Sequence, residues 1–70
     1  MYSDDMEVID ALKLYTRYDV EFTGYDYELV RGDIRVNIGS ADLDLMELFE
    51  NIEKANYLMD REIRKQDIVF

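Results

Sequence analysis

Asp44-Leu45-Met46-Glu47-Leu48-Phe49-Glu50-Asn51-Ile52-Glu53-Lys54-Ala55-Asn56-Tyr57-Leu58-Met59-Asp60-Arg61-Glu62-Ile63-Arg64-Lys65 is the longest periodic stretch of this chain, and its reading decides the fold. Leu45, Leu48, Phe49, Ile52, Ala55, Asn56, Met59 and Ile63 recur at three- and four-residue spacings, so one face of a helix carries them all. Asp44 is placed to cap that helix, with Glu47 three residues on, and Leu43 and Leu48 stand in the positions of a hydrophobic staple. A helix over about 44–65 with such a stripe needs an apolar partner surface, and the residues before it supply one.

Immediately upstream the period is two. Tyr18, Val20 and Phe22 alternate with Asp19, Glu21 and Thr23 before Gly24 interrupts. Tyr25, Tyr27 and Leu29 alternate with Asp26 and Glu28; Arg31-Gly32-Asp33 reads as a tight turn; Ile34, Val36 and Ile38 alternate with Arg35 and Asn37. Three strands follow, over about 18–23, 25–30 and 34–38, with Tyr18, Tyr25 and Tyr27 pointing inward. Gly39-Ser40 closes the last of them. At the front of the chain Ser3 or Asp4 caps a first helix over about 4–17, whose stripe is Val8, Leu12 and Tyr15 widened by Ile9 and Ala11. Leu14 falls off that stripe, and Arg17 suits the helix C-terminus. The expected fold is α+β in the order α-β-β-β-α: a single domain in which a three-stranded antiparallel meander has one face covered by two helices. An apolar tail, Ile68-Val69-Phe70 after Asp67, leaves the stripe.

The 70 residues include 17 Asp plus Glu against 8 Lys plus Arg, a net charge of −9. The excess is uneven. Residues 1–53 hold 14 acidic and 4 basic side chains, whereas residues 54–70 hold 3 and 4. Binding to a phosphate backbone or an anionic membrane surface requires the opposite sign, so neither nucleic acid nor membrane is an expected direct partner. A basic protein is. No apolar run reaches the roughly 18–20 residues of a membrane span, and the acidic start lacks the pattern of a secretory signal. The expected location is the cytoplasm.

With no histidine and no cysteine, serine–histidine and cysteine–histidine nucleophile pairs and the common zinc sites are excluded. The three glycines stand singly, so there is no phosphate-cradling loop. Asp42, Asp44 and Glu47 start like a calcium loop but lack its glycine and distal glutamate, and helix capping accounts for them. Arg31-Gly32-Asp33 spells an adhesion tripeptide, but without a secretory signal the expected reading is a charged turn built around a glycine. No catalytic residue, cofactor or metal is expected, and the chain reads as a binding protein rather than an enzyme.

Two surfaces are candidates for that binding. On the sheet's outer face Asp19 and Glu21 are expected beside Asp26 and Glu28, with Arg35 and Asn37 on the third strand. Like charges facing one another across strands repel, so folding alone does not select them, although solubility can. On the long helix, outside the stripe, Met46, Glu50, Glu53 and Tyr57 are spaced four, three and four apart, and Leu58 is also off the stripe. Glu50 with Lys54 and Asp60 with Arg64 are four-apart pairs that support the helix. Tyr2 and Tyr57 are the tyrosines expected to be exposed.

The acidic helix opening Ser3-Asp4-Asp5-Met6-Glu7, the strand Tyr18-Asp19-Val20-Glu21-Phe22 ending at Gly24, and the later strand Ile34-Arg35-Val36-Asn37 together resemble phage-encoded inhibitors of the anti-CRISPR, DNA-imitating kind. The resemblance covers residues 3 to about 65 in outline. It implies carboxylates standing where DNA phosphates would lie, blocking the basic groove of a nuclease or other nucleic-acid-binding protein in a host cytoplasm. Asp19, Glu21, Asp26, Glu28, Glu50 and Glu53 are the expected contacts, with Tyr57 and Met46 as apolar anchors. The alternative is a homodimer or small regulatory subunit held by Met46, Tyr57, Leu58 and the C-terminal tail.

Overall fold

The computed structural model describes the backbone of residues 3–68 and the side chains of residues 6–66. Tyr2, Val69 and Phe70 lie outside the described residues, as do the side chains of Ser3, Asp4, Asp5, Asp67 and Ile68. The element order is α1 (Ser3–Lys13), β1 (Asp19–Phe22), β2 (Asp26–Arg31), β3 (Ile34–Ser40) and α2 (Leu45–Ile68). The strands form one antiparallel meander in the order β1-β2-β3. This is the α+β arrangement that the two periodicities require.

α2 starts where the sequence says it should. The Glu47 amide, one of the helix's first free N–H groups, donates to Asp44 Oδ1 at 3.0 Å, and the Leu48 amide makes the first regular helical bond to the Asp44 carbonyl at 3.1 Å. The helix then runs 24 residues, roughly 36 Å at 1.5 Å per residue, and so overhangs the seven-residue β3, which spans only about 23 Å. The molecule is accordingly elongated, 46 × 20 × 18 Å. Asp67 and Ile68, read as the start of a tail, are the helix's last residues, because nothing between Ile63 and Ile68 breaks a helix.

A single core joins the layers: Leu12 from α1; Tyr18 and Val20; Tyr27 and Leu29; Val36 and Ile38; and Leu48, Ile52, Ala55 and Met59 from α2. α2 lies mainly over β3, and α1 over β1. In the stripe of α2, Leu48, Ile52, Ala55 and Met59 are buried and Phe49, Asn56 and Ile63 half-buried, whereas Leu45, in the first turn, remains exposed. Leu12 is fully buried and Val8 and Ile9 pack against the core, as expected for α1.

Several expectations need correction. α1 ends at Lys13 rather than near residue 17, and the Leu14 and Tyr15 amides close a turn on the Ala11 and Leu12 carbonyls. Leu14 therefore projects from a turn, and Tyr15 leaves the α1 stripe to pack on Phe49 of α2, with ring centroids 4.5 Å apart. Arg17 serves no helix end; it reaches across to Asp60 at 3.0 Å, which removes Asp60 from its expected pairing with Arg64. Tyr25, expected inward, is 84% exposed: the Thr23 hydroxyl accepts from the Asp26 amide and the Thr23 amide donates to the Asp26 carbonyl, which holds residues 23–26 in a turn, and β2 begins only at Asp26. Among the described residues Glu50 and Lys54 form no ion pair, and Glu62–Lys65 at 3.4 Å takes that role on α2.

β3 is also longer than expected, because it contains a bulge. Tyr27 pairs with Gly39 and Glu28 with Asn37, so Ile38 is the extra residue. The bulge turns both Ile38 and Gly39 toward the core. A Cβ on Gly39 would lie 2.7 Å from Leu43 Cδ1, 3.0 Å from Asn51 Nδ2 and 3.4 Å from Leu48 Cδ2, and the residue has φ +153°. Only glycine lets the start of α2 settle this closely on β3.

Candidate functional site

The outer face of the meander has no helix over it. Asp19, Glu21, Asp26, Glu28, Arg35 and Asn37 occupy the alternate positions whose neighbours Val20, Tyr27, Leu29, Val36 and Ile38 are buried beneath the helices. The ladder pairs Glu21 directly with Glu28, as the sequence suggests. It sets Asp19 opposite Val30 rather than beside a second acid, and Asp26 opposite Ser40, beyond the paired end of β1.

Arg35 resolves the repulsion between the two glutamates. Its Nη1 donates to Glu28 Oε1 at 2.8 Å and its Nη2 to Glu21 Oε1 at 3.0 Å, so one guanidinium fork spans all three strands. The two carboxylates, Glu28 foremost, hold the guanidinium in its charged form more firmly than usual. Asn37 Nδ2 donates to Asp26 Oδ2 at 2.9 Å. Four carboxylates and one guanidinium leave this face net negative by three, and Glu21, Glu28 and Asp26 are each held in a fixed geometry. Held carboxylates lose less side-chain freedom when a partner pairs with them, because that ordering has already occurred.

The other four candidates lie elsewhere. Met46, Glu50, Glu53 and Tyr57 are exposed on the side of α2 turned away from the sheet, opposite the stripe of Leu48, Ile52, Ala55 and Met59. Sheet and helix layers pack about 10 Å apart, and the domain is 18–20 Å across its short axes. The eight candidate residues therefore form two surfaces on opposite sides of the molecule, and one flat partner surface cannot touch both. Met46 is 68% exposed and Tyr57 62%, with the Arg61 guanidinium carbon 6.0 Å from the centroid of the Tyr57 ring. Leu58 is 40% exposed.

Sequence reasoning missed a polar clasp between the α1–β1 loop and α2. Asn56, read as part of the stripe, receives a hydrogen bond at Oδ1 from the Thr16 hydroxyl (2.5 Å), and its Nδ2 donates to the Tyr15 carbonyl (2.9 Å). The Tyr18 amide in turn donates to Thr16 Oγ1 at 3.2 Å. The Tyr18 hydroxyl donates to Asp60 Oδ1, which also accepts from Arg17 Nη2. That bond to Asp60, assisted by burial and opposed by Arg17, raises the Tyr18 pKa above the ordinary value near 10. An asparagine in an otherwise apolar periodic face was the one available signal, since a buried amide needs partners.

No helix among the described residues is long and apolar enough to cross a membrane. No protein family, curated protein or solved structure matches this chain.

Proposed function

We propose that the protein is an acidic binding module that inhibits a nucleic-acid-binding protein, such as a nuclease, by occupying its basic surface in place of DNA. The observation that supports this reading is the uncovered sheet face, which carries Asp19 and on which Glu21, Glu28 and Asp26 are each held by a hydrogen bond. Carboxylates fixed on a rigid sheet meet lysine and arginine side chains as phosphates do, and the net charge of −9 speeds encounter through long-range attraction. The protein acts here without catalysing a reaction, and the cytoplasm of a cell containing such a target is its place of action. The resemblance to phage-encoded anti-CRISPR inhibitors points to the same class of target.

The test compares the wild-type chain with a Glu21→Lys/Glu28→Lys double variant as baits, eluting captured proteins with a salt gradient and separately with duplex DNA. The reading expects a basic protein that salt and DNA both release and that the variant does not retain. A partner held through high salt, or one that binds DNA and this chain together, overturns it.

A second reading rests on the exposure of Met46, Tyr57 and Leu58: a self-associating or regulatory module joined through the outer side of α2. Sedimentation separates the two. Under this reading the wild type sediments as a dimer, a Tyr57→Glu/Leu58→Glu variant as a monomer, and the sheet-face variant remains dimeric.

A further inference from the structure

A chain with only 8 basic residues brings three of them to one groove. Arg17 from the α1–β1 loop, Arg31 from the end of β2 and Arg64 from α2 line a hollow of about 170 Å³ together with Tyr18, Asp60 and Ile63. The sequence separates these arginines by 14 and 33 positions, and it is the overhang of α2 past the hairpin end of the sheet that gathers them. The single carboxylate here is already engaged, accepting from the Tyr18 hydroxyl and from Arg17 at Oδ1. Both of Arg17's own contacts, to Asp60 and to the Tyr18 oxygen at 3.2 Å, use Nη2, so its Nη1 and Nε remain as donors among the described residues. Arg31 and Arg64 have no carboxylate within ion-pair distance among the described residues. Among the described residues, three guanidiniums against one carboxylate leave the groove net positive by two in a chain whose net charge is −9.

We infer that this groove binds a single phosphoryl group, a phosphomonoester dianion, between Arg17, Arg31 and Arg64. Guanidinium forks match tetrahedral oxyanions through paired N–H donors, which is why arginine rather than lysine suits such a site. The hollow is smaller than the roughly 300–1,000 Å³ of sites that enclose a whole small molecule, so it takes an anionic head. An adjoining hollow of about 320 Å³, sharing Arg17, Tyr18 and Arg31, receives whatever the phosphoryl group is attached to. Asp19 lines that second hollow and repels a second phosphate, so a monophosphate is preferred over a polyphosphate. An extended nucleic-acid backbone is not the expected ligand, since the positive patch is one groove long and the chain as a whole carries a net charge of −9. The site is separate from the mode of partner binding proposed above and survives that proposal's failure.

The test is a titration followed by NMR of backbone amides and arginine Nε–H groups, with ionic strength held constant by sodium chloride. Inorganic phosphate and N-acetyl-phosphoserine amide are the two probes, and acetate is the control. The expected result is saturable shifts at Arg17, Arg31, Gly32 and Arg64 with both phosphate probes and none with acetate. Tighter binding of the ester assigns the phosphoryl group to a larger molecule, and tighter binding of inorganic phosphate assigns it to the free ion; either order supports the site. Arg31→Gln and Arg64→Gln each weaken binding by up to about fivefold. Both side chains are exposed, so the variants keep the wild-type melting temperature and a loss of binding is not a loss of fold. Shifts no larger than those of acetate, or affinity unchanged in the Arg31→Gln/Arg64→Gln double variant, overturn the inference.

Discussion

Replacing Gly39 with alanine tests how the helix layer is seated on the sheet. The added Cβ would stand 2.7 Å from Leu43 Cδ1 and 3.0 Å from Asn51 Nδ2, against the roughly 3.5–4.0 Å of an ordinary carbon contact. Both atoms are the far ends of side chains and can move. Leu48 Cδ2, at 3.4 Å, belongs to a side chain packed in the core. The steric cost therefore lies in the middle of the overpacking range, about 2 kcal/mol. The backbone at φ +153° adds about 1–3 kcal/mol for a residue with a Cβ, and the stiffer unfolded chain returns about 0.4–1 kcal/mol. The net is a loss of about 3 kcal/mol, which in a domain of this size lowers Tm by about 12–24 °C. Gly32→Ala is the control. Gly32 has φ +59°, but nothing lies within 4 Å of its added Cβ, so it carries backbone strain alone, about 1 kcal/mol after the same offset. Thermal unfolding of the three proteins by circular dichroism is the assay. If Gly39→Ala melts no lower than Gly32→Ala, the close approach of α2 to β3 is wrong. The reasoning about the bulge would fall with it.

Two other perturbations probe the polar clasp. Tyr18→Phe removes the bond to Asp60 and costs about 0.5–1.5 kcal/mol near neutral pH. Because the folded pKa of Tyr18 is raised, its contribution is fully present below about pH 10 and is lost as pH rises through the folded value. The difference in Tm between wild type and Tyr18→Phe should thus shrink on the alkaline side; a difference that stays constant there rejects the linkage. Asn56→Leu restores an unbroken apolar stripe yet leaves the Thr16 hydroxyl and the Tyr15 carbonyl without their partner, and should cost about 1–3 kcal/mol in denaturant unfolding. A more stable Asn56→Leu protein would show that the stripe, and not the clasp, governs that position.

Much of this molecule is legible in its residues in order. The change from a period of 3.6 to a period of 2 and back marks the five elements, because helices and strands place their apolar side chains at those intervals. The cap at Asp44 is a local interaction, and it forms as read. The outward position of Asp19, Glu21, Asp26 and Glu28 follows from the same alternation that buries Val20, Tyr27 and Leu29. Where the reading failed, local pattern competed with something distant or with turn chemistry. Tyr15 continues the α1 stripe in sequence, but Phe49 offers it a surface on another helix. Tyr25 continues the strand alternation, but Thr23 bonds to Asp26 and folds the segment into a turn first.

What tertiary structure alone decided is the grouping of charges. Sequence spacing makes eight residues look like one acidic site with apolar anchors, yet a sheet and a helix packed face to face must turn their free sides in opposite directions, and the site divides in two. Arg35 is an ordinary outward residue until strand register sets it between Glu21 and Glu28. Arg17, Arg31 and Arg64 share nothing along the chain, and they meet because α2 is longer than the strand it lies on. Periodicity determines which side of each element a residue takes; only the packing of elements determines which residues become neighbours, since that depends on lengths, registers and a glycine that no local pattern encodes.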